Sequence, residues 1–161
     1  MFSISKWSVC FFLGTIMFIP SVQAEQPFDI TYCGSGDLSI LTKSKELTVA
    51  SVDAKGITIS NHDNKAFHNC TWHGIGFMMI KNGKRTWSSY TKFMDPDGSI
   101  LIVETTMNSF HFLRGTGKWK GITGNGKGWL ITNGKSITQG TIQNCRRVKG
   151  TFELPEKSSN K

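Results

Sequence analysis

The sequence predicts an all-β fold: one antiparallel domain, with a closed or nearly closed barrel favoured over a sandwich. Three observations carry this. No window of eleven or more residues downstream of the N-terminal segment keeps apolar positions at helical spacing. Short runs rich in β-branched and aromatic residues recur along the chain, bounded by turn residues. Two long central runs, 67–80 and 84–107, form an up-down-up meander of the kind that closes on itself.

In chain order the expected strands cover residues 28–33, 37–41, 47–52, 56–60, 67–80, 84–93, 99–107, 110–114, 128–132, 137–143 and 148–154. The turns between them carry their own chemistry. Asn82-Gly83 is a type I′ hairpin signal, because both central residues of that turn need positive φ. Asp95-Pro96-Asp97-Gly98 is a second tight turn, with Pro setting φ early and Gly closing it. Asn133-Gly134 repeats the Asn-Gly device. No linker or shift in composition divides the chain between residues 25 and 154, which read as one β-barrel domain. The tail 155–161 is polar, lacks apolar residues and is expected to be disordered.

Residues 1–24 read as a cleavable signal peptide. Lys6 supplies a positive start, Trp7 to Ile19 are predominantly apolar, Pro20 ends that stretch, and Val22 and Ala24 stand at the positions a signal peptidase reads. The apolar run falls short of the roughly 20 residues that span a bilayer, so no membrane span is expected. Cys10 lies inside the apolar run and not at the cleavage point, which excludes a lipoprotein signal. The expected location is secreted or periplasmic.

The formal net charge is +8; cleavage removes Lys6 and no acid, leaving about +7, a balance that attracts polyanions. The basic residues fall mostly in turns, and Arg146-Arg147-Lys149 is the single cluster. No specific nucleic-acid partner is expected. After cleavage, three cysteines remain: Cys33, Cys70 and Cys145. An oxidising compartment favours one disulfide and leaves one thiol over. Three pairings are possible. Cys33–Cys145 is favoured because a closed barrel brings its first and last strands together, with Cys70 expected as a buried, inert thiol.

The most distinctive phrase runs through residues 112–129. Within it, G-I-T-G-N-G-K-G at 121–128 approaches the phosphate-binding loop. Gly128 replaces the hydroxyl residue that would hold Mg²⁺, and no helix follows. The phrase G-T-G-K-W-K-G-I-T-G at 115–124 instead resembles the G-T-G-(K/R)-(F/W)-x-G-x-x-G strand and turn of proteins with the allene oxide cyclase and dirigent-like barrel. It is most similar to small exported bacterial proteins of that barrel type. Such proteins also show a D-P-D-G turn like 95–98 and an ending like G-T-F-E-L at 150–154. The resemblance spans roughly residues 28–154. It implies an eight-stranded antiparallel barrel of calycin type whose cavity binds a small, often apolar molecule. It carries no catalytic residue across. In such a barrel the glycines allow close approach and tight coiling, and Trp119 and Trp129 are expected to plug an end.

His68, Cys70 and His73 have the residue types of a metal site, but a strand would place His73 opposite the other two, and no fourth ligand is near. No metal or cofactor is expected. Glu104 is the sole charge in the run 99–107, on the face of Ile100 and Ile102. Were that face internal, desolvation would raise its pKa and make it a candidate acid, base or polar anchor. Trp72, Trp87, Tyr90 and His111 are candidate cavity-lining residues, each with an apolar body and a polar tip. No nucleophile elbow or comparable local signature is present.

The leading expectation is an exported, non-enzymatic barrel that binds a small apolar ligand. The alternatives are an isomerase or cyclase that acts by positioning an apolar substrate, and a basic surface protein that binds polyanions.

Overall fold

A computed structural model describes residues 24–155. The expected signal peptide and polar tail therefore lie outside the described residues, apart from Ala24 and Pro155. Eight strands form a closed antiparallel barrel. They are β1 (Gln26–Lys43), β2 (Leu47–Ser60), β3 (Thr71–Lys81), β4 (Lys84–Met94), β5 (Ile100–Thr106), β6 (Ser109–Gly115), β7 (Thr123–Asn133) and β8 (Thr141–Glu153). Each strand pairs with the next, and β1 closes the ring on β8 over Gln26–Asp37. Closure gives every strand a partner on both sides, the shortest ladder being β6–β7 over Ser109–His111. The all-β barrel expected from the sequence is the observed fold.

Several expected boundaries are corrected. Runs 28–33 and 37–41 form the single strand β1, and runs 47–52 and 56–60 form β2. Gly34 and Gly36 separated the first two runs in sequence and Gly56 opened the fourth, yet Gly34 and Gly56 sit opposite one another inside the ladder. There a side chain at Gly34 would meet the Lys55 carbonyl and the Trp72 ring. These glycines provide close packing within strands and do not mark turns.

The run expected from residue 67 begins as β3 only at Thr71, because Phe67 and Asn69 adopt positive φ of 58° and 57°. The run 137–143 is mostly loop, and Ile137 is almost fully exposed. Asn133-Gly134 consequently opens a longer connection over 134–140 and not a two-residue turn. Asn82-Gly83 is the expected I′ hairpin, with φ of 49° and 77°.

The two ends of the barrel differ. At one end the 61–70 loop folds inward and buries Phe67 against Phe28, Phe112, Phe152 and Trp119. Trp119 follows from the expected plug: it sits on a short 3-10 turn, Gly117–Trp119, with its ring 4.7 Å from Phe67. Trp129 does not plug anything, since its side chain lies on the outer face and is well exposed. Thr58 ties the loop down by donating to the Phe67 carbonyl at 2.5 Å and accepting from the Cys70 amide at 3.0 Å. Asp95 and Lys118 are joined at 2.6 Å at the same closed end. The opposite end carries the hairpins at 44–46 and 82–83 and the 134–140 loop, and it is hollow.

Candidate functional site

The hollow end encloses a cavity of about 310 Å³. Its existence follows from the alternation of side chains across the strands. Toward the closed end the inward positions are large: Phe28, Phe93, Phe110 and Phe152 fill the interior. Toward the open end they shrink to Gly34, Ala54, Gly74 and Ser89, so the walls stand apart. Trp72 forms the floor. Its indole lies against Gly34, edge-on to Tyr32 with ring centroids 5.6 Å apart. Tyr32 in turn meets Phe93, which belongs to the packed half.

The walls are mixed in character. Val52, Ala54, Leu38 and the half-buried Trp87 supply apolar surface. Ser89 and Thr105 share a buried hydroxyl–hydroxyl hydrogen bond of 2.6 Å and so satisfy one another in the wall. The charged groups lining the cavity are both arginines, Arg85 and Arg146. Burial raises the pKa of Tyr32, so its phenol stays protonated across the neutral range.

Of the residues expected to line a cavity, Trp72 and Trp87 do so. Tyr90, Glu104 and His111 do not: they form one cross-strand row on the outer face of β4, β5 and β6. There the Tyr90 hydroxyl donates to Glu104 at 3.3 Å. The inward residues of β5 are Leu101, Val103 and Thr105, which turns Ile100, Ile102 and Glu104 outward. Both faces of this strand carry aliphatic residues, so alternation alone could not choose between them. Glu104 therefore is not an interior acid.

Tyr32 and Arg146 were not singled out in the sequence. Arg146 was read as part of a surface cluster, but strand alternation splits that cluster. Arg147 and Lys149 point outward and hold Asp29 at 2.7 Å and 3.1 Å, while Arg146 points into the barrel. A signal was available: on β8, Arg146 shares its parity with Val148 and Phe152, both buried.

The cysteines fall as expected. Cys33 and Cys145 are directly opposed on β1 and β8 and are joined as a disulfide. Cys70 is a buried free thiol, with Sγ 3.6 Å from the Asp95 carboxylate. Burial and the adjacent carboxylate push its pKa up to about 12, which leaves it protonated and unreactive. His68 and His73 do not converge with it. His68 accepts from the Ser60 amide at 3.1 Å, and His73 pairs with Asp53 at 2.7 Å on the outer surface.

No family model and no curated protein matches this chain. Solved structures share its fold, among them two dirigent proteins. One is the pterocarpan synthase dirigent protein GePTS1, with a TM-score of 0.50 and 13% identity over 86% of this chain and 91% of that one. The other is the pterocarpan synthase dirigent protein PsPTS1, with a TM-score of 0.51 and 10% identity over 86% of this chain and 99% of that one. At these identities the likeness is one of fold, and it agrees with the barrel type that the glycine-rich phrase implies.

Proposed function

We propose that this dirigent-type barrel binds a small, largely apolar molecule in its hollow end and acts outside the cytoplasm. One observation carries the reading: the interior is packed solid by aromatic rings at one end and left open at the other. A barrel with a purely structural role gains stability by filling its core. Here small inward residues keep about 310 Å³ open above an indole floor, in the size range of ligand pockets. The signal-like N-terminus and the Cys33–Cys145 bridge support an extracytoplasmic location.

Native mass spectrometry of the protein purified from its own compartment tests this reading. A small molecule that co-purifies, and is lost in a Trp72→Ala variant, is the expected result. A homogeneous apoprotein that also fails to bind any apolar probe would sink it.

The isomerase or cyclase reading rests on the same cavity and on the two structures of similar fold, which are pterocarpan synthase dirigent proteins. Its acid–base candidates Glu104 and Tyr90 lie on the outer face, so the polar groups left to such a catalyst include Tyr32, Arg85, Arg146 and the wall hydroxyls. The polyanion reading is weakened because Arg147 and Lys149 are engaged with Asp29. Strong salt-sensitive retention on heparin would revive it.

A further inference from the structure

We infer that the cavity recognises its ligand by a negatively charged head: a small organic acid whose oxyanion sits at Arg146 and whose apolar body lies against Trp72 and Trp87. This rests on the binding role proposed above and names the ligand class.

The argument begins with Arg146 itself. It is the inward residue between Asn144 and Val148 on β8, directly opposite Tyr32 on β1. Its Nη2 donates to the carbonyls of Thr106 at 3.3 Å and Met107 at 2.6 Å. Those carbonyls fix the guanidinium in place but bring no net charge. Its Nε is buried with no acceptor, and among the described residues no carboxylate pairs with it. The neighbouring Arg147 shows the contrast, because it engages Asp29 through both Nε and Nη2 at 2.8 Å and 2.7 Å.

Acids elsewhere in the barrel have partners of their own. Asp95 and Asp97 hold Lys118 at the closed end, while Asp53 and Glu104 lie on the outer face with His73 and Tyr90. Among the described residues, no Asp or Glu lines the cavity, whereas Arg85 adds a second positive charge near the 82–83 hairpin. A partly desolvated arginine without a counter-ion is costly, and an anion from solution removes that cost. A cationic cleft with low-dielectric walls also draws anions in.

A further donor fits the same chemistry. The Tyr32 hydroxyl is kept protonated by burial and makes no hydrogen bond among the described residues, so it is free to donate. The site thus combines an unpaired positive charge and a free donor with apolar rings. That is complementary to an amphiphilic acid and not to a neutral hydrocarbon.

The test uses three probes with one ring system: 2-naphthoate, 2-naphthalenesulfonate and the neutral 2-naphthalenemethanol, titrated calorimetrically into the intact protein. The acids are expected to bind roughly ten- to a hundredfold tighter than the alcohol, the range of a charge-assisted contact. Arg146→Gln should erase that preference while still binding the alcohol, and Arg146→Lys should restore part of it. Retained alcohol binding also shows that the variant is folded.

Equal affinity for acids and alcohol in the wild type overturns the head-group inference and leaves the binding role standing. An acid preference that survives in Arg146→Gln assigns it to Arg85 or to surface lysines and overturns the inference as well. Failure of all three probes removes the binding role and this inference together. Between the acids, tighter binding of the naphthoate identifies a carboxylate head, and tighter binding of the sulfonate a sulfo or phospho head.

Discussion

Arg146, Arg147 and Lys149 look alike in composition and do two different things. Arg146 faces the cavity, while Arg147 and Lys149 clamp Asp29 on the other face. The Arg147 guanidinium and the Lys149 ammonium hold the Asp29 carboxyl down to a pKa of about 2, below its ordinary 3.8, against an opposing effect of burial. A depressed pKa contributes stability that is complete above the unfolded value and disappears as pH falls through the folded one. Acid titration monitored by tryptophan fluorescence should therefore show wild type losing stability between about pH 4 and pH 2. Asp29→Asn should be less stable near neutrality and flatter across that window; identical acid limbs would contradict the clamp. Cys70 gives a second prediction. Its thiol should resist maleimide under native conditions and react only as the molecule opens, with a rate that follows denaturant. Prompt native labelling would contradict its burial.

At the scale of elements, the barrel depends on a few positions where strands or loops approach closely. Gly56 lets the β1 and β2 backbones approach at Gly34, and Gly34 leaves room for the Trp72 indole that forms the cavity floor. Gly34→Ala forces a methyl group against the Lys55 carbonyl and that ring, and the overpacking should cost about 1–3 kcal/mol in urea unfolding. It should also shift the tryptophan emission, and an unchanged spectrum with unchanged stability would show that the floor is not built this way. The plug is the other sensitive element. Phe67 touches four aromatic neighbours, and Phe67→Ala should cost about 3–5 kcal/mol while the open end still binds its probe. Loss of binding in that variant would mean that the two ends are coupled.

For the molecule as a whole, the critical seam is the one between β1 and β8, which turns a sheet into a barrel. Cys33 and Cys145 staple it and close a loop of sequence separation 112. In the chain-entropy account a loop near that length stabilises by roughly 4–5 kcal/mol, an upper value because the reduced chain keeps some structure. The double variant Cys33→Ala/Cys145→Ala should lower the unfolding midpoint accordingly and keep the barrel's far-UV spectrum, since the β1–β8 ladder continues on both sides of the bridge. Unchanged stability would show that the seam is held by its backbone ladder alone. The all-β class, the Asn82-Gly83 hairpin, the Trp119 plug and the cysteine pairing were all readable beforehand, because each depends on local turn chemistry or on closure of the ring. Strand ends at 67–70 and 134–140 were not, because both segments are loops whose apolar residues mimic strands.

By itself the sequence determined that the chain is β-rich, where its tightest hairpin turns, and that its first and last strands meet. Those properties follow from propensity, φ requirements and ring topology. Only the tertiary structure decided which face of each strand points inward. On β5, aliphatic residues occupy both faces, so side-chain period could not say that Glu104 lies outside. On β8, a basic run concealed one inward arginine among outward ones. Registry around the closed ring sets those orientations, and a slip of one residue would exchange the cavity's lining for the solvent face.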